Sequence, residues 1–458
     1  MSSDVATLHF EKMTKTPIPR LITILAIPTI ISMLVSNVYN LVDTFFVGKL
    51  GVSASGAIGV IFTLMSILQA IGFMLGHGAG SVISRLLAKK DVDTASTYAS
   101  TSFYLSLLIG FIFVLLGFVF LEPLVYFLGS TKTILPYAKV YASYIIATSP
   151  FFMASLVMNN ILRYEGKSFY SMIGLMSGAI LNIILDPIFI FGLNMGIHGA
   201  GLSTAISQVL SFLILVLLFI RNAQSKLKIK KFTKRINIIF IICKTGLPSL
   251  IRQGLNSISS GLLNNIAKGY GDECISALSI VSRIQMFLLS IGLGMGQGYQ
   301  PVAGFNYQAK KYNRVREGFR FTLIASLIMM SIFCIFALVF SKPFVGLFID
   351  DNKVIDIAKV SLKFTSIALT FLPISTCGNM LFQSIGKNFN ASFLSCLRAG
   401  LCYIPILIIL SETLGLLGLQ MTQMVADILA TLITIPFIVV FFKNLPKEER
   451  NIEDEKIL

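Results

Sequence analysis

The sequence predicts an all-α polytopic membrane protein with twelve transmembrane helices in two parallel six-helix lobes. Three observations lead there: the composition, the length of the apolar runs and an internal repeat. Of the 458 residues, 55% are hydrophobic, 13% are charged and none is Trp, against roughly 25% charged in soluble domains. Charged residues thin out within runs of about 20 residues or more, the length that crosses a hydrocarbon core about 30 Å thick. This excludes soluble enzymes, secreted disulfide scaffolds and disordered chains. The runs are continuously apolar and do not alternate, which excludes a β-barrel.

Breaks at charge clusters and at Gly and Pro place the helices at 20–46, 51–80, 94–119, 137–163, 169–191, 197–220, 236–266, 275–304, 316–340, 355–384, 389–411 and 416–442. Residues 1–19 are polar and lead into a span too long for a signal-peptide core, so an uncleaved cytoplasmic segment is expected. Lys and Arg collect in alternate connections: Arg85, Lys89 and Lys90, then Arg163 and Lys167, then seven between Arg221 and Arg235, then Lys310, Lys311, Arg314 and Arg316, then Lys387. The opposite connections hold chiefly Lys49, Lys132, Lys268, Lys342 and Lys353. By the positive-inside rule both termini, including the tail 443–458, are cytoplasmic. The net charge of +16 is therefore orienting charge in short loops, and no nucleic-acid partner is expected. The six Cys residues lack C-x-x-C spacing and read as small buried hydrophobes.

Sliding the chain against itself by 220 residues brings Pro28 opposite Pro248, Gly51 opposite Gly271, and Gly72, Gly76 and Gly78 opposite Gly292, Gly296 and Gly298. Ala138-Lys139-Val140 meets Ala358-Lys359-Val360, and Gly166-Lys167 with Phe169 meets Gly386-Lys387 with Phe389. The halves are thus a lobe at 20–220 and a lobe at 236–442, joined by a basic linker at 221–235 that reads as a solvated cytoplasmic loop. Six spans return the chain to its starting side, so the halves have parallel topology, a layout of transporters that work by alternating access. Gly166-Lys167-Ser168 imitates a phosphate loop, but Ile161 stands where its first glycine belongs. Neither an ATP site nor enzymatic chemistry is expected, and transport is left to an ion gradient. The Gly-x-Gly runs at 76–80 and 292–298 lie inside spans and read as sites of close helix approach.

Ionisable side chains inside a membrane span are expensive, and they mark pathways or partners. The acids are Asp43, Asp186 and Asp427; the bases are Lys244, Arg252, Arg283 and Arg398, with His77 near a span end. Asn182 and Asp186 are four apart and share a helix face, and Pro187 lacks an amide hydrogen, which frees carbonyls in the turn before it. Carboxylate, amide and carbonyl oxygens suit a hard cation such as Na+; the plainer alternative is a buried Asp bonded to a neighbouring helix. Asp43 adds a second carboxylate to the same half, and two carboxylates in a low dielectric invite a proton or a cation. The repeat places Leu263 opposite Asp43 and Ile406 opposite Asp186, so the second half lacks both acids. Arg252, Arg283 and Arg398 either line a cleft in the second lobe or pair with Asp427 and backbone carbonyls as locks. Lys244 is expected to snorkel, and His77 to be interfacial or part of a proton relay.

Over nearly its whole length the chain resembles the multidrug and toxic compound extrusion (MATE) family. The resemblance is carried by Asn40-Leu41-Val42-Asp43-Thr44-Phe45-Phe46-Val47-Gly48, Ile83-Ser84-Arg85-Leu86-Leu87-Ala88-Lys89-Lys90-Asp91, Leu181-Asn182-Ile183-Ile184-Leu185-Asp186-Pro187 and Gly296-Gln297-Gly298-Tyr299-Gln300-Pro301. It implies a V-shaped pair of lobes that exports lipophilic, often cationic drugs in exchange for Na+ or H+, with no cofactor beyond the coupling ion. It also implies a cation site in the first lobe at Asp43, Asn182, Asp186 and Thr204, completed by Asn159 or Asn160, and a first helix that bends at Pro28. A second-lobe acid known in another branch is Asn256 here, with Gln253 and Arg252 nearby. These three, with Arg283, Arg398 and Asp427, are the substrate-cavity candidates. A monomer among membrane lipids, in a bacterial plasma membrane, is the expected setting. A lipid-linked precursor flippase is the competing reading, because arginines bind phosphate head groups bidentately.

Overall fold

The structure, a computed structural model, describes residues 2–346 and 351–446, with side chains from Ala6 onward. Most of the expected tail, from residue 447, lies outside the described residues. Among the described residues, twelve helices are long and apolar enough to cross a membrane: Ile18–Gly48, Val52–Ala88, Val92–Val119, Leu135–Tyr164, Ser168–Gly192, Ile197–Asn222, Ile236–Tyr270, Asp272–Gln308, Tyr312–Val339, Asn352–Ser384, Asn388–Leu414 and Leu416–Lys443. They are spans 1 to 12 below. The number agrees with the sequence, because a helix satisfies its own backbone polar groups where no water can. Span 2 runs beyond its expected end at 80 to Ala88, since its glycines are packing contacts within a helix and not a break. Three shorter helices, Ser2–Lys15, Leu121–Phe127 and Ser341–Gly346, lie in segments read as connections. In the first of them His9 and Met13, one turn apart, are buried.

Contacts divide the chain into two compact units. The first holds the residues up to Phe10 together with Ile31–Leu250; the second holds Glu11–Ile30 and the chain from Ile251 onward. The units therefore do not follow the expected boundaries at 220 and 236. The start of span 1 packs in the second unit and the start of span 7 in the first, each crossing falling just after a repeat-related proline, Pro28 or Pro248. Glycine is what lets span 2 and the start of span 7 pack so closely. A Cβ on Gly78 would overlap the Ile242 carbonyl, and one on Gly246 would overlap the Met74 carbonyl. In the second unit a Cβ on the repeat mate Gly298 would come within 2.7 Å of the Ala26 backbone.

Beside this contact His77 is wholly buried, and it faces the span 2–span 7 seam. Arg163 Nη2 donates to its Nε2 at 2.8 Å, which leaves Nδ1 to carry the proton and donate to Ser249 Oγ at 2.6 Å. Lys244, by contrast, is exposed and lies over the Phe240 ring, as a snorkelling lysine should.

The 221–235 linker is not a free solvated loop. Span 3 presents Ser96, Ser100 and Thr101 to it. Lys226 N–H donates to Ser96 Oγ at 3.0 Å, Lys228 N–H to Ser100 Oγ at 3.0 Å and Thr233 N–H to Thr101 Oγ1 at 3.4 Å, while Lys231 pairs with Asp93. Between spans 4 and 5 the buried Glu165 carboxylate accepts from Gln224 N–H at 2.6 Å, from Ser225 N–H at 3.0 Å and from the Ser225 hydroxyl. Burial pushes this carboxyl above the ordinary Glu range, and the Ser225 and Gln224 bonds pull part of the way back.

Three outcomes follow. Gly246→Ala should lower thermal stability by about 1–3 kcal/mol, the usual cost of overpacking. Gly261→Ala, where a Cβ meets nothing within 4 Å, should melt at or above the parent, since Ala is the better helix former. Because the folded state holds the Glu165 proton more tightly than the unfolded state, that group favours folding at low pH and the gain is lost as pH rises through its raised pKa. The melting temperature of Glu165→Gln relative to the parent should therefore climb as pH rises above about 4, read by thermal unfolding of the detergent-purified protein.

Candidate cation site in the first unit

Asp43 projects from span 1 one turn after Tyr39, and Asp186 stands at the end of the regular part of span 5, before Pro187. Beyond that proline, Ile188–Gly192 continues as a π-helical turn, so the distortion that the proline predicts falls after it. Both carboxylates are buried, with relative exposures of 6% for Asp43 and 0% for Asp186. Asn182, one turn before Asp186, donates through Nδ2 to Asp186 Oδ1 at 3.3 Å, to Ser203 Oγ at 2.8 Å and to Thr204 Oγ1 at 3.4 Å. The Ser203 hydroxyl also donates to Asp186 Oδ1.

Tyr141 of span 4 ties Asp43 into the same cluster. Its Oη lies 3.2 Å from Asp43 Oδ2 and 3.2 Å from Thr204 Oγ1. One phenolic proton serves one of these acceptors, and the carboxylate is the stronger. Thr204 is then left to donate to Tyr141 Oη or to the Ala200 carbonyl at 3.1 Å. Thus Asp43, Asn182, Asp186 and Thr204 come together, and Tyr141 and Ser203 join them unforeseen. Ser203 stands beside Thr204 in the sequence, and Tyr141 directly follows the repeated Ala-Lys-Val triplet; neither position marks an inward-facing side chain by itself.

After every donor in reach has been used, Asp43 Oδ1, Asn182 Oδ1 and Asp186 Oδ2 remain buried without a partner. All three are acceptors. Leaving a buried acceptor unmade costs about 1–3 kcal/mol, so an oxygen-lined cluster with three of them suits a proton or a hard monovalent cation.

Asn159 and Asn160 are held elsewhere. Asn159 Nδ2 donates to Ser171 Oγ at 2.5 Å and to the Ser171 carbonyl at 3.1 Å. In the second unit its repeat mate Asn379 donates to the Ala391 carbonyl at 2.6 Å, and residues 171 and 391 are themselves mates. This is a clasp between adjacent spans, used twice. Asn160 donates to the Leu156 carbonyl at 2.7 Å and accepts from Arg163 at 2.5 Å. Among the substrate-cavity candidates, Arg283 and Asn256 are exposed and Gln253 and Arg252 are half-buried. Arg398 and Asp427 form an ion pair at 2.8 Å, the lock among the two alternatives.

A family model, MatE, matches residues 28–188 and again 248–409, and the two copies begin at Pro28 and Pro248. The chain belongs to the MatE family. Both matches cover their lobe from the repeat proline through the span that carries Asp186 or its counterpart. "Multidrug export protein MepA" of Staphylococcus aureus is 29% identical over 437 residues, covering 94% of this chain and 94% of that protein. Its namesake in Staphylococcus saprophyticus is 27% identical and covers 89% and 90%. Among solved structures, an outward-facing multidrug resistance MATE family transporter of the MOP superfamily superposes with a TM-score of 0.90 at 25% identity, covering 95% of this chain and 98% of that one. A MATE in a bent conformation gives a TM-score of 0.85 at 26% identity. This MatE protein is thus a multi-pass membrane transporter by fold and family.

Tyr141→Phe removes the one side chain that bridges Asp43 and Thr204. It should lower stability by about 1–3 kcal/mol, the cost of leaving a buried acceptor unpaired, measured by thermal unfolding in detergent at neutral pH.

Proposed function

We propose that this protein exports lipophilic, often cationic drugs in exchange for Na+ or H+, and that the coupling ion is taken by Asp43, Asn182, Asp186 and Thr204 with Tyr141 and Ser203. One observation carries the ion assignment: three buried oxygens in one cluster, on Asp43, Asn182 and Asp186, have no donor from the chain. The drug-export assignment is supported by the similarity to the MepA proteins, whose name is multidrug export. The setting proposed is a bacterial plasma membrane with both termini cytoplasmic, as the distribution of Lys and Arg favours, and a monomer that works without ATP or covalent chemistry.

In this scheme an ion entering from outside neutralises the Asp43 and Asp186 pair, and the first unit then releases the drug outward. Release of the ion inside leaves the carboxylates charged and favours renewed drug capture from the cytoplasm or inner leaflet. Pro28, just before the chain passes from one compact unit to the other, lets span 1 bend during the change. Ion and drug must weaken each other's binding by the same factor. The competing flippase reading loses one of its arginines, because Arg398 is neutralised by Asp427.

Ethidium export from inverted vesicles tests the scheme, with a Na+ gradient and a pH gradient imposed separately. Export driven by one of them is expected, with Asp43→Asn and Asp186→Asn each abolishing the ion's effect on drug affinity, which in coupled systems is about 5–150-fold. Normal gradient-driven export by both variants would refute the scheme, and no export by the parent under either gradient would return the flippase to favour.

A further inference from the structure

The second unit holds one buried carboxylate among its described residues, Asp427 of span 12, and its surroundings invert those of Asp43 and Asp186. Arg398 Nε donates to Asp427 Oδ1 at 2.8 Å, and Gln423 Nε2 donates to Oδ2 at 2.9 Å. Arg398 Nη2 also reaches Oδ2, at 3.5 Å. Neither oxygen lacks a partner. Arg398 sits in a π-helical stretch of span 11, Leu397–Leu401, which the Ser259 hydroxyl of span 7 grips at the Ala399 carbonyl. Cys402 and Tyr403 are the titratable neighbours of Asp427, and both are buried.

The repeat fixes where this pair stands. Span 5 maps onto span 11 through Gly166 and Gly386. Span 6 maps onto span 12 through its entry glycines, Gly196 at φ 55, ψ −129 and Gly415 at φ 60, ψ −131, one residue off the 220 shift. On this register Asn182 meets Cys402, Asp186 meets Ile406 and Thr204 meets Gln423. Arg398 lies one helical turn from Cys402, and Asp427 one turn from Gln423, on the same pair of helices that hold Asp186, Asn182 and Thr204 in the first unit.

We infer that Arg398 is a built-in counter-cation, its guanidinium filling beside Asp427 the role that a coupling ion takes beside Asp43 and Asp186, so that the second unit binds no coupling ion. The inference rests on the ion role proposed for the first unit. A guanidinium keeps its proton at any working pH and is tethered to the chain, so it neutralises a carboxylate without exchanging with either side of the membrane. A neutral side chain at 398 would leave a buried carboxylate that must find another cation or a proton; a lysine would not.

The test is the melting temperature of detergent-purified protein, titrated with Na+ against an inert organic cation at constant ionic strength, and separately with pH. In an Asp43→Asn/Asp186→Asn background, Arg398→Gln should gain a Na+-dependent or pH-dependent shift that Arg398→Lys lacks and that adding Asp427→Asn removes. A folded Arg398→Gln protein with no gained shift, or a gain that survives Asp427→Asn, overturns the inference. Should Arg398→Gln not fold, Asp427→Asn in the otherwise native chain decides: the parent's ion-dependent shift should persist, and its loss overturns the inference. If Asp43→Asn/Asp186→Asn leaves the parent's shift intact, the first-unit reading fails, and the gain at Asp427 is still read on its own against that background.

Discussion

Hydrocarbon offers no hydrogen bonds, and this one constraint runs through the whole molecule. It forces the backbone into helices that satisfy themselves, and it requires each polar side chain in a span to find a partner within the protein. Most do so locally: Ser and Thr hydroxyls return to the carbonyl one turn back, as at Thr29, Ser155 and Thr322. Others bond across helices, as Asn159 and Asn379 do at repeat-related places. What sets Asp43, Asn182 and Asp186 apart is that three unpartnered oxygens, all of them acceptors, fall in one cluster, chemistry that the chain leaves to something it binds.

The repeat shows how one scaffold has been filled in two ways. Both halves keep the proline after which the chain changes unit, the glycines that bring two helix backbones together, and the asparagine clasp between adjacent spans. These are packing devices. The ionisable residues are not shared. The first half has two carboxylates among hydroxyls and an amide, with acceptors to spare; the second has one carboxylate enclosed by an arginine and a glutamine, with none.

Polar groups outside the spans follow the same rule of satisfaction. The linker between the halves is rich in Lys and Arg, yet it is docked on the Ser and Thr face of span 3 and on Glu165. Its charged side chains are mostly exposed, while its backbone is held by hydroxyls and a carboxylate from the first unit. His77, placed between Arg163 and Ser249, holds span 2 to the start of span 7 in the same manner.

Much of this was legible in the sequence, because run length, charge placement and a 220-residue repeat are set by the solvent and by chain order. Those signals determined the twelve spans and the two halves; the intramembrane charges singled out Asp43, Asn182 and Asp186, and the motif resemblance added the family and Thr204 as a ligand to consider. What the sequence alone left open depended on side-chain direction across helices distant in the chain. Tertiary structure decided that Tyr141 and Ser203 complete the cluster while Asn159 and Asn160 turn to other partners. It also turned His77 into the packed seam, bound Arg398 to Asp427, and moved the first turns of spans 1 and 7 into opposite units. In each case the outcome rests on which helix face meets which neighbour, a relation between distant segments that periodicity along a single helix does not encode.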